Sequence, residues 1–384
     1  MALSRHLLAG FVLIAMGAIA ACSDGGQKHA QPHPASPSLP GLYSVGPQVF
    51  GLPGGPVRLA APPVTPLAGW LTPAAVPSPD RRYLAYNSWR ELRHDDPKLS
   101  WPDQGIEPGD ALATPSIRLY DRRAGTDEVL AEGAFSLAWR ADGALAYFKG
   151  AERDYRAALS YVGDIVVRPS LEGLSEVWSS ERGRYIVVGW AGTRLVAYSE
   201  HEGEALDVVV FNGPGQMRVL AANSALVAIS PNGRQAFVEQ GPAQGRPTVR
   251  VLEVATGREV AALDLTRVDA AVGWVGYAGD WRADRVVASS TSGLAVFRVA
   301  RGKITLQKAL RVAASSVAEP RFVGSAGLRV RAWTSVRRGG VFLDCDFALG
   351  ACNRILPLPE ARGVHGFPTW RRPLFNPSRP LGTT

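Results

Sequence analysis

The sequence predicts an all-β fold, a β-propeller of seven blades, with six as the alternative. Three observations carry this. First, strand–turn–strand units recur. In the stretch Thr248 to Leu265, TVRVLEVATGREVAALDL, Val249, Val251 and Glu253 alternate with Arg250, Leu252 and Val254 before a turn at Ala255-Thr256-Gly257 and a return from Val260. Period-2 alternation marks a strand, and a turn glycine supplies a positive φ that other residues resist. Second, the turn glycines of six such units stand at Gly125, Gly173, Gly215, Gly257, Gly302 and Gly350, at intervals of 42 to 48 residues. That is the length of a four-stranded blade. Third, 41 Gly and 29 Pro in 384 residues, with a hydrophobic fraction of 46%, suit many short strands around an ample core.

In chain order, residues 1–21 lie outside the fold. Arg5 and His6 precede an apolar run from Leu7 to Ala21, shorter than the ~20 residues a spanning helix needs. The run ends in Ile19-Ala20-Ala21-Cys22, which resembles the bacterial lipobox. That resemblance implies a cleaved signal, a diacylglyceryl group on the Cys22 thiol, and an extracytoplasmic, membrane-anchored protein. Two acyl chains anchor stably where one is marginal. The alternative is an ordinary cleaved signal with a stray cysteine. Residues 22–42 then form a tether. Ser23 to Pro40, SDGGQKHAQPHPASPSLP, is polar and rich in Pro, Ser and Gly, and it cannot bury a core. His29 and His33 in it read as solvated side chains.

The folded domain is expected over 43–370, with an irregular tail at 371–384. A second hairpin precedes each glycine hairpin. Ser78 to Tyr86, SPDRRYLAY, and Trp139 to Tyr147, WRADGALAY, are the clearest; Ser230-Pro-Asn-Gly233 opens another. Asp-Gly and Asn-Gly form tight turns between paired strands. These motifs resemble the Ser-Pro-Asp-Gly…Leu-Ala-Tyr repeat of the TolB-type and related WD-like propellers over roughly residues 45 to 359. Arg81 departs from the pattern by replacing the glycine. The resemblance implies the architecture but leaves the activity open, because propellers host scaffolds, periplasmic partners and accessory domains of hydrolases. Six complete hairpin pairs give six blades. The segment around Gly54, PQVFGLPGGPVRLAA, matches VVVFNGPGQMRVLAA around Gly215, and would give two outer strands of a seventh. The chain after Pro359 would then give its inner pair, although GVHGFPTWRRPLFNP is a poor strand former.

Three insertions interrupt the pattern: Asn87 to Pro115, Lys149 to Gly163 and Gly241 to Pro247. All fall between the second and third strands of a blade, which places them on one face of the ring. Loops on a rigid scaffold commonly carry function, although surface insertions are also well tolerated. In the first insertion Trp89, His94, Asp95, Asp96 and Trp101 are the candidate binding residues, with Trp89 and Trp101 as aromatic contacts in a polar loop. Trp139, Trp190, Trp274 and Trp281 sit in strand-like contexts and read as packing between blades.

Cys345 and Cys352 flank a turn that sets them opposite each other, which predicts a structural disulfide in an oxidising compartment. No nucleophile motif, metal-ligand spacing or cofactor fingerprint is found, so no catalytic residue, metal or cofactor is assigned. Asp95, Asp96 and Asp103 lack the spacing of a calcium loop. The formal charge of +8 is mostly arginine spread along the chain, without the basic stripe and interleaved aromatics of a nucleic-acid binder. The expectation is a membrane-anchored binding or scaffold module whose partner, a protein or an envelope polymer, meets the insertion face. The alternative is a carbohydrate-active lyase or hydrolase of the envelope using channel carboxylates.

Overall fold

The computed structural model describes residues 43–45, 47–50, 52, 54–61, 63, 75–90, 114–154, 160–200, 206–240, 247–268, 279–290, 293–312, 317–323, 329–336, 339–355 and 372–373. The chain divides into two units, Met1–Ser38 and Leu39–Thr384, and every described residue lies in the second. Cys22, the signal and the whole of the expected tether, 22–42, lie outside the described residues.

Among the described residues, seven antiparallel sheets of four strands each are formed. The fold is a seven-bladed β-propeller. Blade 1 comprises Ala75–Pro77, Tyr83–Arg90, Thr114–Asp121 and Thr126–Glu132. Blade 2 comprises Ala134–Trp139, Leu145–Asp154, Ser160–Arg168 and Glu176–Val177. Blade 3 has Arg184–Ala191, Arg194–Glu200, Leu206–Phe211 and Met217–Ala221. Blade 4 has Ser224–Ile229, Gln235–Gln240, Thr248–Glu253 and Glu259–Asp264. Blade 5 has Asp280–Arg282, Arg285–Ser290, Gly293–Ala300 and Lys303–Arg311. Blade 6 has Val317–Val323, Arg329–Val336, Gly339–Asp346 and Ala351–Ile355. The first strand of each of these blades is the innermost, and the first strands of most neighbouring blades pack side by side, as Ala134–Trp139 does beside Arg184–Ala191.

Blade 7 closes the ring from both ends of the chain. Tyr43–Val45, Gln48–Phe50 and Val57–Arg58 supply three strands, and Arg372–Pro373 adds the fourth by pairing with Ser44 and Tyr43. This corrects the expected two-plus-two closure to three-plus-one. It also places a strand inside the tail expected to be irregular. Two residues suffice there, because the N-terminal strands already carry the ladder and the terminal pair only covers an open edge.

The turns follow the sequence closely. Gly125, Gly215, Gly257, Gly302 and Gly350 adopt φ between +68° and +77°, the left-handed region that favours glycine. Gly173 is the exception, and the strand after it is only Glu176–Val177. In the other turn series Gly143 and Gly233 are also left-handed. Arg81 holds the same conformation at φ +59° although it is not glycine.

Between blades lies a series of apolar layers. Val76, Ala85 and Ile117 of blade 1 pack with Leu137, Trp139 and Tyr147 of blade 2. Phe237 of blade 4 meets Trp281 edge-on and Phe297 of blade 5 at 5.4 Å between ring centres. Polar bonds cross the same seams. Trp139 Nε1 donates to the Val76 carbonyl and Trp190 Nε1 to the Ala138 carbonyl, each at 3.0 Å. Tyr198 Oη accepts from Leu226 N–H and donates to the Leu226 carbonyl across the seam between blades 3 and 4. Trp139, Trp190 and Trp281 are thus packing residues, as their strand contexts suggest; Trp274 lies outside the described residues.

Candidate functional site

Every connection between a second and a third strand emerges on one face of the ring, because all the blades share one strand order. Blade 1 carries the longest. Its strands reach further than the sequence suggests: Asn87 to Arg90 pair with Ile117 to Thr114, so the insertion shortens to residues 91–113. Trp89 is therefore a strand residue opposite Pro115 rather than a loop residue. His94, Asp95, Asp96 and Trp101 lie outside the described residues. Asn87, at the edge of the expected loop, is fully buried.

The second insertion is largely a continuation of the blade 2 hairpin. Glu152, Arg153 and Asp154 pair with Val162, Tyr161 and Ser160 across a bulge at Val162/Gly163. A Cβ on Gly163 would stand 2.2 Å from the Lys149 carbonyl oxygen, so this close approach admits only glycine. The expected loop is thereby replaced by a ladder, and only 155–159 lie outside the described residues. In the third, 241–246 lie outside them as well.

Glu239 is the functional candidate on this face that the motif reading missed. It is the penultimate residue of the second strand of blade 4, between Ala225 and Val249 in the sheet. Alternation along Gln235–Gln240 points it to the same side as Phe237, into the layer between blades 4 and 5. Its exposure is 1%, and Oε1 is buried without a hydrogen-bond partner among the described residues. Arg250, on the neighbouring strand, points to the opposite side of the sheet, where it pairs with Glu259 at 2.7 Å. Burial, which removes water from the carboxyl, pushes Glu239 up to about 7. The sequence signal was available: an acid at an inward position in the run Ala236-Phe-Val-Glu239.

A second polar cluster joins blade 1 to the closing blade. Asp127 accepts from Tyr86 Oη at 2.8 Å, from Arg118 Nε at 2.9 Å and from Ala60 N–H at 2.7 Å. Tyr86 is fully buried, and burial with the Asp127 carboxylate beside it pushes the phenol well above its ordinary value. Ala60 follows the outer strand of blade 7, so Asp127 ties the ring's closing seam. This is architecture, since every member is already bonded.

Cys345 and Cys352 form the expected disulfide, directly opposite each other in the outer hairpin of blade 6. Among the described residues no group of three or more His, Cys, Asp or Glu is placed to hold a metal. All six histidines lie outside the described residues.

No family model matches the chain, and no curated protein matches it. Solved structures do. One is TolB from Acinetobacter baumannii, at 13% identity and a TM-score of 0.42 over 81% of this chain; the chain spans 62% of that protein. Another is the β-propeller domain of the Trilobed protease from Pyrococcus furiosus, at 10% identity and 0.48, covering 82% of this chain and 90% of that one. A third is an oligogalacturonate lyase in complex with manganese, at 12% identity and 0.47, covering 70% and 75%. The likeness is one of fold. The blade count stands on the strand ladders of this chain itself.

Proposed function

We propose that the chain is a lipid-anchored, extracytoplasmic propeller that serves as a binding or scaffold module. Cys22 carries the anchor in this reading, and residues 23–42 hold the ring off the membrane. The partner, a protein or an envelope polymer, meets the face from which the blade 1 insertion leaves. The observation that carries the reading is the asymmetry of the ring. Its blades are sealed to one another by apolar layers and cross-seam bonds, while its longest connection, 91–113, leaves from strand ends on one face. The cross-strand disulfide fits an oxidising compartment outside the cytoplasm. Membrane attachment is tested with Cys22→Ser, which is expected to release the protein from the membrane fraction or stall its processing; undiminished attachment rejects the anchor. Partner binding is tested by recovering the intact protein from its own envelope, beside a variant lacking 91–113. Loss of co-purifying partners is expected, and an unchanged set rejects the face.

A further inference from the structure

The insertion-face end of the seam between blades 4 and 5 holds two buried polar atoms with no partner among the described residues. One is Oε1 of Glu239, on the second strand of blade 4. The other is the Ser290 hydroxyl, last residue of the second strand of blade 5. Both strands run to the same face of the ring. Ser290 shares the side of Val286 and Ala288, which belong to the layer packed against blade 4. The two acceptors therefore occupy opposing walls at the same end of one seam. The next seam back shows what this place does when it is filled from within. There Tyr198, an inward residue of the corresponding second strand, reaches across and bonds both the N–H and the carbonyl of Leu226. Glu239 makes no such bond.

We propose that Glu239 and Ser290 form a binding site for a primary ammonium group entering from the insertion face. A carboxylate and a hydroxyl on facing walls offer acceptors to an N–H3 donor, and the cation supplies a counter-charge to the carboxylate. A hydrogen bond to a charged partner is stronger than a neutral one, and more so out of water. The rest of the wall is apolar: Ala225 and Val249 from blade 4, and Trp281 and Ala288 from blade 5. Among the described residues, charged side chains at this end of the two blades include Arg311, exposed on the outer strand of blade 5, and Asp264 with Arg267, paired at the end of the outer strand of blade 4. The site lies on the same face as the insertion at 91–113 but on other blades, so its test is independent of the deletion proposed above.

The test uses the full chain in detergent with n-butylammonium as probe and tetramethylammonium, which has no N–H, as control. Binding is followed by calorimetry and by thermal melting. The protein is expected to bind butylammonium and not the control. Because only the ionised carboxyl receives the cation, apparent affinity is expected to be about tenfold weaker at pH 6 than at pH 8. Glu239→Gln, nearly isosteric, is expected to abolish binding and its pH dependence, and Ser290→Ala to weaken binding by about fivefold. A lysine-containing tripeptide amide distinguishes sources: tighter binding than butylammonium points to a protein ligand, weaker binding to a free amine. Equal binding of butylammonium and the control, or binding that survives Glu239→Gln, overturns the proposal. So does a Glu239→Gln protein that melts higher while the wild type shows no response to butylammonium.

Discussion

Replacing Glu239 by glutamine removes one titration and leaves the shape of the side chain almost unchanged, so its effect on stability follows from the burial of the carboxyl. In the unfolded chain this group has its ordinary value of 4.5, whereas in the folded ring burial raises it to about 7. Between those values the native state holds a proton that the unfolded state has lost. Stability must then fall as pH rises through that window, and the full cost is present above the folded value. The displacement corresponds to about 3 kcal/mol between pH 4.5 and pH 8. For Glu239→Gln that component of the slope is absent. The variant is expected to match the wild type near pH 4.5 and to exceed it by about 2–3 kcal/mol at pH 8. Denaturant melts at a series of pH values, with the slope m compared between the two proteins, measure this directly. Parallel pH profiles would refute the reasoning, because they would mean that the carboxyl ionises in the fold as easily as in water. A variant less stable at every pH would refute it too, by showing that the acid has a partner it needs.

Three other outcomes are expected. Asp127→Asn removes the charge shared by Tyr86, Arg118 and Ala60 at the closing seam, and should cost about 2–3 kcal/mol in a denaturant melt; limited proteolysis should find the new weakness on the blade 7 side. Arg81→Gly relieves a left-handed arginine whose carbonyl bond from Arg122 does not depend on the side chain, and should raise stability by about 0.5–1 kcal/mol. Cys345→Ser with Cys352→Ser opens a short loop and should cost about 2.5 kcal/mol under oxidising conditions, with no difference from the wild type after reduction.

Much of the architecture was legible because it is local. A blade is two hairpins, and a hairpin announces itself by alternation and by a turn residue; the left-handed glycines from Gly125 to Gly350 stand where the sequence places them. Cys345 and Cys352 could be paired for the same reason, since opposite ladder positions follow from the turn between them. The insertions were legible in position but not in extent. Trp89 and the Glu152–Asp154 segment look like polar loop and are strand, because sheet propensity at a hairpin's end is set by the partner strand rather than by composition. Closure of the ring from both ends is readable in the sequence, but the three-plus-one division that pairs Arg372–Pro373 with the first strand is set by contacts between the two ends of the chain.

The amino-acid order alone determined that this chain makes repeated four-stranded sheets, and where each turn falls, since those choices involve neighbours a few residues apart. What faces what across a seam was decided only when the sheets stacked. Whether Glu239 lies in water or in a dry layer, and whether Asp127 meets Ala60, depends on residues about 50 to 70 positions away in sequence, brought together by ring closure. Hydration is a property of that assembled environment, so the same glutamate is an ordinary acid in the unfolded strand and a neutralised one in the ring.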